Sequence, residues 1–367
     1  MSRGARITVD LAAVRHNLAR ARAAAGPARV LAVVKADAYG HGAVAVARAL
    51  AGLADGFAVA VVEEAVALRE AGLGGPILVL EGFADGEDLE AAARLDLWLA
   101  LHDAGQVVRL ARAALPRPVG VWLKVDTGMH RLGVAPQEAA ALWRRLAGLA
   151  QVAGVPVLMT HLACADDPAD PATARQLACF AEATAGLEAP RSIANSAGLL
   201  GFAAARGDWV RPGIMLYGVS PFTDADPARW GLRPAMTLES RLLAVRDHAA
   251  GEPVGYGGTW RARRPTRLGV VAIGYGDGYP RHAPNGTPVW VAGRRVPLVG
   301  RVSMDMLTVD LTEHPAARPG DRVVLWGPEL PVDEVAACAG TIGYELLCRV
   351  TGRPPRRWVD EDAGSGS

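Results

Sequence analysis

Only two of the 39 basic residues in this chain are lysines, Lys35 and Lys124; all the others are arginines. On a solvated face the two residue types serve about equally well. A chain that has drifted to arginine therefore keeps lysine where a guanidinium cannot substitute, because only an amine can deprotonate, attack a carbonyl and form a Schiff base. Lys35 follows the apolar run Val30–Val34 and opens the stretch Ala36-Asp37-Ala38-Tyr39-Gly40-His41-Gly42. That is the point where a buried strand hands a reactive group to a glycine-rich loop. Chance retention of a surface lysine is the competing reading.

Other polar residues with chemical capacity follow apolar runs in the same way. Lys124 and Asp126 close the run Val119–Val125, with Arg131 a short loop beyond; His161 ends Val155–His161; Asn195-Ser196 follow Ser192–Ala194; Arg211 ends Trp209–Arg211. The elements that position them are therefore strands, and the runs Val30–Val34, Phe57–Ala60, Ile77–Leu80 and Leu97–Ala100 bring their number to eight. Between them lie Ala-rich helical segments such as Val61–Ala71, Gly86–Leu95 and Pro136–Ala150, and Asp10 can cap a first helix through about Ala25. Residues 10–230 thus read as a (β/α)8 barrel of the TIM type, with an open doubly wound sheet as the alternative. A barrel gathers residues that follow strands at its C-terminal face. Residues 231–361 differ in character: runs such as Ser240–Val245, Leu268–Ile273, Pro288–Val291 and Arg322–Leu325 are separated by Gly, Pro and Asp, with one short helical pattern at Val332–Cys338. This reads as a separate, mainly β domain, which Ala5–Val9 could join. The Gly-Ser-rich tail, 362–367, is expected to be disordered.

The stretch Val33–Gly42 closely resembles the cofactor-lysine motif of the alanine racemases, and the resemblance runs almost the full length of the chain. It implies that Lys35 carries pyridoxal 5'-phosphate covalently and that Tyr39 hydrogen-bonds its phosphate. Barrels often hold phosphate between the loops after strands seven and eight. Those loops are Asn195-Ser196-Ala197-Gly198 and Arg211-Pro212-Gly213-Ile214. The resemblance, which extends to Thr341–Glu345, assigns Ser196, Gly213, Ile214 and Tyr344 to the phosphate and puts Asn195 and His161 against the cofactor. Gly343 stands where a bulkier residue is expected. Arg211 would face the pyridine nitrogen; as a permanently charged donor it would keep that nitrogen unprotonated, a weak electron sink that suits proton removal and return better than transamination.

Racemisation needs an acid/base on each face of the substrate. The resemblance gives these roles to Lys35 and to Tyr275, in Gly274-Tyr275-Gly276-Asp277-Gly278-Tyr279. A phenol has an ordinary pKa of about 10, so positive charge or donated hydrogen bonds must favour its anion, and a chain Tyr275–His161–Arg211 would supply them. The tyrosine would come from the β domain of a second subunit, in a head-to-tail homodimer with a shared active site. Val302–Met306 resembles the matching interface stretch, with Ser303 where the family often has Cys. The Met304 backbone N–H and Arg131 would hold the substrate carboxylate. Some members carry a carbamylated lysine at the position of Lys124, an anion that would orient Arg131; pairing of Lys124 with Asp126 is the alternative. The implied activity is interconversion of L- and D-alanine by two bases acting on the cofactor-bound amino acid, supplying D-alanine for peptidoglycan. The alternatives are a broad-specificity small-amino-acid racemase, a decarboxylase of the same architecture, which Arg211 disfavours, and a non-catalytic pyridoxal-phosphate-binding protein.

Composition narrows the partners. The 367 residues are 51% hydrophobic and 21% charged with a formal net charge of +1, which argues against nucleic acid. The opening residues lack the apolar run of a signal peptide and no stretch reads as a membrane span. Cys164, Cys179, Cys338 and Cys348 show neither metal-ligand spacing nor disulfide density, so a cytoplasmic protein with reduced thiols and no metal is expected.

Overall fold

The structure, a computed structural model, describes residues 4–222 and 227–360; the expected disordered tail lies outside them. The chain starts with β1 (Arg6–Asp10), which pairs antiparallel with β10 (Met236–His248) and parallel with β18 (Arg356–Val359). The N-terminal strand is thus hydrogen-bonded into the β-rich sheet, not into the barrel. Asp10 then caps the helix Leu11–Ala25, accepting a hydrogen bond from the Ala13 N–H at 2.9 Å, a contact whose loss typically costs about 1 kcal/mol.

Eight parallel strands follow: β2 (Arg29–Val33), β3 (Gly56–Val59), β4 (Ile77–Val79), β5 (Trp98–Leu101), β6 (Gly120–Lys124), β7 (Val157–Met159), β8 (Arg191–Ser192) and β9 (Trp209–Val210). They close into a barrel, β9 pairing with β2. The strands read as unbroken apolar runs because both faces are covered, by the barrel interior on one side and helices on the other. Several end earlier than the apolar runs suggest, so His161 lies two residues beyond β7, and the helix expected to reach Ala150 stops at Ala147 before Gly148. Three indoles fill the barrel where its strands begin. Trp98 meets Trp209 edge-on at 5.5 Å, and Trp122 lies 5.7 Å from Trp209. A Cβ on Gly120 would come within 2.2 Å of the Trp98 ring, so only glycine fits there. The opposite end of the barrel is left for polar side chains.

The second half forms a sheet in the order β15-β14-β17-β10-β1-β18, with β13 joined to β10 and β16. The other strands of that sheet are β13 (Thr266–Val271), β14 (Pro288–Val291), β15 (Arg294–Pro297), β16 (Leu307–Asp310) and β17 (Arg322–Trp326), while β11 (Pro253–Val254) and β12 (Trp260–Arg261) pair with each other in a separate two-stranded sheet. Two irregularities, at Leu238/Glu239 and Leu242/Ala244, let the 13-residue β10 serve both sets of partners. The helix Gly343–Cys348 packs against the loop that follows β2. A Cβ on Gly343 would stand 2.6 Å from the Asp333 carboxylate and 3.0 Å from Val219, so the small residue there answers a close approach. No helix of the described residues is long and apolar enough to cross a membrane.

Candidate active site

A cavity of about 450 Å³ opens where the barrel strands end. Lys35, Tyr39, Lys124, Arg131, His161, Asn195, Ser196, Arg211, Gly213, Ile214 and Tyr344 all line it. Eleven of the thirteen residues singled out from the sequence therefore meet in one place. The other two, Tyr275 and Met304, do not line it; they lie on the surface of the β half, 36% and 54% exposed.

Lys35 is delivered by an unusual piece of backbone. The next four residues, Ala36, Asp37, Ala38 and Tyr39, all have φ of 52–54° and ψ of 43–51°, a left-handed helical turn without a glycine. Each such residue costs roughly 1–2 kcal/mol relative to right-handed helix, so the surroundings must over-determine the turn. Glu64 fixes its start, accepting from the Ala36 N–H at 2.7 Å and from Ala60 N–H at 2.7 Å. Gly40 seals its end against the chain: a Cβ there would stand 2.2 Å from the Leu347 carbonyl. The turn swings Tyr39 back across the cavity floor, its ring centroid 4.8 Å from that of Tyr217 and 6.0 Å from that of Tyr344.

One corner of the cavity gathers hydroxyls and backbone N–H groups. The Ser196 hydroxyl receives the Gly213 N–H at 2.9 Å and the Met215 N–H at 3.4 Å. The Tyr39 hydroxyl lies so close over Gly213 that a Cβ would fall 2.4 Å from it. Two phenols, a serine hydroxyl and backbone N–H groups thus surround a space that a side chain at 213 would fill. Asn195 supports the corner from behind, accepting from Gly198 N–H at 2.9 Å and donating to the Leu162 carbonyl at 3.2 Å.

Arg211 is buried with no carboxylate against it among the described residues. Its guanidinium donates to the Ser192 hydroxyl, to the Thr160 carbonyl at 2.6 Å, to the Ile193 carbonyl at 3.3 Å and to His161 Nδ1 at 3.4 Å. Burial pulls its pKa down to about 10, still high enough for it to stay charged near neutrality. Burial first, then the positive charge of Arg211, holds His161 well below its usual range. The neutral imidazole accepts from Arg211 at Nδ1, so its proton sits on Nε2.

Positive charge dominates the chamber. Burial and the nearby Arg131 push the Lys35 amine down, and burial, Arg131, Arg211 and Lys35 bring Lys124 to about 8. Lys124 has no hydrogen bond or ion pair among the described residues. Asp126, the alternative partner, is engaged elsewhere: one carboxylate oxygen accepts the N–H groups of Gly128, Met129 and His130 at 3.0, 3.1 and 3.0 Å. Against the opposing effect of burial, these donors hold Asp126 below its ordinary pKa. The same turn, with His130 at φ 55°, presents the Arg131 guanidinium to the cavity.

Three further residues were not expected from the sequence, two at the cavity and one on the β half. Glu81 and Cys348 line the cavity; Glu81 lies just past β4, and the rule that picked out the others would have found it. Tyr256 lies on the β half and is 70% exposed. Like Tyr275 it sits between glycines, and both border one segment. The Tyr275 and Gly276 N–H groups donate to the Ser303 and Met304 carbonyls at 3.0 and 2.9 Å, while Gly255 and Gly257 pack on Arg301.

A closed (β/α)8 barrel whose mouth gathers two lysines and, among the described residues, a buried arginine with no carboxylate against it, followed by a β domain, defines a narrow class of barrel proteins. Two family models match in succession, alanine racemase N-terminal domain over residues 9–221 and alanine racemase C-terminal domain over residues 235–358. The chain belongs to the alanine racemase family. It is 59% identical over 354 residues to an alanine racemase of Thioalkalivibrio sulfidiphilus, covering 96% of this chain and 98% of that one. The crystal structure of the biosynthetic alanine racemase of Pseudomonas aeruginosa superposes with a TM-score of 0.95 at 50% identity, covering 98% of this chain and 100% of that one. The alanine racemase of Bartonella henselae, solved with covalently bound pyridoxal phosphate, has a TM-score of 0.87 at 32% identity, covering 97% and 99%.

Proposed function

We propose that this chain is a pyridoxal-phosphate-dependent alanine racemase, an isomerase that interconverts L- and D-alanine. The observation that carries the reading is the convergence of Lys35, the Tyr39–Ser196–Gly213 corner and Arg211 on one cavity. The donor set fits the cofactor: a depressed amine for its aldehyde, hydroxyls and N–H groups for its phosphate, and a donor-only guanidinium for its ring nitrogen. Ile214 and Tyr344 complete the phosphate wall. When bound, pyridoxal phosphate withdraws electrons from the α-carbon of an amino acid joined to it, which makes the α-proton removable.

The chain's own groups divide the remaining work. Arg131 binds the substrate carboxylate, with the Met304 N–H of a second subunit opposite. Lys35 takes or returns the α-proton on one face. A β-domain phenol of the second subunit does so on the other, which makes the enzyme a homodimer with shared sites. Two phenols qualify, Tyr275 and Tyr256. The greater exposure of Tyr256 favours it, because a group that serves another copy's cavity has to project from its own chain. The Nε2–H of His161 is free to donate to the phenolate, with Arg211 behind it, so the arginine's charge reaches the base through the imidazole. Lys124 is carbamylated: with a pKa of about 8, roughly a tenth of its amine is neutral at pH 7 and can attack CO₂. The resulting anion hydrogen-bonds Arg131. A cytoplasmic role in supplying D-alanine to peptidoglycan follows from the reaction.

The test is to incubate the purified protein with L-alanine and measure D-alanine formed, beside a panel of other amino acids. Production of D-alanine with loss of optical rotation is expected, fastest for alanine. A visible cofactor absorbance band without turnover would replace this reading with a binding protein, and equal rates across the panel with a broad-specificity racemase.

A further inference from the structure

The left-handed turn needs something to hold it, and a single side chain meets it twice. His41 is buried with no exposed surface. Its Nδ1–H is shared between the carbonyls of Ala38, at 3.0 Å, and Tyr39, at 2.9 Å, both members of the turn. Its ring stacks on Tyr217 with centroids 4.5 Å apart and 29° between planes. Tyr217 in turn lies 4.8 Å from the Tyr39 ring and donates its hydroxyl to the Val33 carbonyl at 2.8 Å. Tyr39 is thus held from both ends by the same imidazole, through its backbone carbonyl and through an intervening ring. The β half secures His41 itself: the Trp358 indole N–H donates to the His41 carbonyl at 2.8 Å, and the indole covers Gly42 so closely that a Cβ there would fall 2.7 Å from it. His41 does not line the cavity and touches nothing that would react.

We propose that His41 is a positioning residue for the cofactor phosphate, locking the left-handed turn so that the Tyr39 hydroxyl stays over Gly213. The proposal rests on the reading of the cavity as a pyridoxal phosphate site. Both of its Nδ1 partners are carbonyl oxygens, which fixes the neutral tautomer with the proton on Nδ1. Burial keeps the ring neutral by pulling its pKa down to about 4. A core histidine with no such role would stabilise the fold without favouring any part of the cofactor. The role proposed here is specific to the phosphate end, because Lys35 precedes the first left-handed residue and Tyr39 is the last.

The experiment titrates cofactor-free protein with pyridoxal phosphate and, separately, with pyridoxal, following protein fluorescence. The ratio of the two affinities reads the phosphate corner alone. His41→Phe keeps a flat ring against Tyr217 and removes the donor; the ratio is expected to fall about tenfold, the worth of a buried hydrogen bond, with pyridoxal affinity little changed. His41→Asn returns an N–H near the Nδ1 position and should recover most of that loss. An unchanged ratio in folded His41→Phe, or an equal loss for both compounds, overturns the proposal. If His41→Phe does not fold, Trp358→Phe on the exposed edge strand removes the donor to the His41 carbonyl, and the same ratio must fall. Native protein that binds neither compound would overturn the cofactor reading itself, and the proposal with it; a native preference for the phosphate that survives in every folded variant would overturn only the role of His41.

Discussion

The mouth of the barrel and the exposed face of the β domain are built to opposite plans. At the mouth several polar groups are enclosed and held by neighbours: Arg211 donates to three of the surrounding residues' oxygens, Ser196 receives two backbone N–H groups, and Tyr39 sits at the end of a strained turn. On the β face Tyr256, Met304 and Met306 are 70%, 54% and 44% exposed. A group held in advance can bind and orient, whereas exposed phenols and methionines mark a surface open to a partner, which in the reading proposed above is a second copy of the chain. The difference teaches that the cavity lining comes together within one chain while the exposed phenols of the β half do not reach it.

The largest effect should come from breaking the enclosed side. Lys35→Ala removes both the attachment point and one acid/base. Covalently held cofactor should vanish, and activity should fall beyond the ~10²–10⁴-fold typical of losing an acid/base alone. Borohydride reduction followed by peptide mapping checks it. A reduced cofactor adduct on any other residue would remove Lys35 from its role.

The exposed side should break differently, leaving cofactor bound while turnover fails. Replacing the acting phenol with Phe should slow proton exchange from one enantiomer by ~10²–10⁴-fold, read as deuterium incorporation from solvent into L- and D-alanine separately. Tyr256→Phe is expected to show this asymmetry more strongly than Tyr275→Phe. Mixing Lys35→Ala protein with the impaired tyrosine variant sharpens the comparison. In a shared-site dimer each mixed pair regains one intact site, so random pairing should restore about a quarter of native activity. Mixtures no more active than their components would place both halves of the site in one chain.

What the sequence made legible follows the same division. Barrel strands are covered on both faces and mostly read as apolar runs, so many of the chemical residues at the mouth, from Lys35 to Arg211, could be found by their place after a run, whereas Tyr344 and Cys348, which come from the β half, could not. The left-handed turn could not be read. Nothing in Ala-Asp-Ala-Tyr favours positive φ, and its cause is tertiary, in His41, Glu64 and the Leu347 carbonyl. The edge strand Arg356–Val359 carries two adjacent arginines and gives no apolar signal. The choice between Tyr256 and Tyr275 was hidden for another reason: both lie in Gly-Tyr-Gly triplets, and what separates them is exposure, which belongs to the fold.

A smaller effect is expected inside the enclosed half, where Arg211 sets which reaction follows proton removal rather than whether it occurs. Arg211→Glu would place a carboxylate where the ring nitrogen lies, favouring its protonation and with it transamination. The ratio of pyridoxamine phosphate formed to alanine racemised should rise by about tenfold, roughly the factor for one charged hydrogen bond. Quantifying both products in a single incubation measures it, with a circular dichroism spectrum to establish that the variant folds. An unchanged ratio would mean that Arg211 supports His161 and the Thr160 carbonyl but does not tune the ring.

The smallest effect concerns Lys124, and it tests whether the mouth is as complete as it looks. Four cations, Lys35, Lys124, Arg131 and Arg211, crowd the cavity; Arg131 helps depress Lys35, and Arg131, Arg211 and Lys35 all help depress Lys124. Asp126 relieves them only in part, because its turn uses the carboxylate for three backbone N–H groups. A carbamate on Lys124 converts one of the four into an anion and gives Arg131 something to lean on. Lys124→Ala should therefore raise KM for alanine about tenfold, the worth of one charged hydrogen bond holding Arg131, while changing kcat less. Removing CO₂ from the native enzyme should raise KM in the same direction, and bicarbonate should reverse it for native protein but not for Lys124→Ala. The dependence on CO₂ should strengthen as pH rises through about 8, where the amine becomes predominantly neutral and able to react. A KM indifferent to bicarbonate across that range would show that Lys124 remains an amine, and that Arg131 meets the substrate carboxylate without a fixed anion behind it.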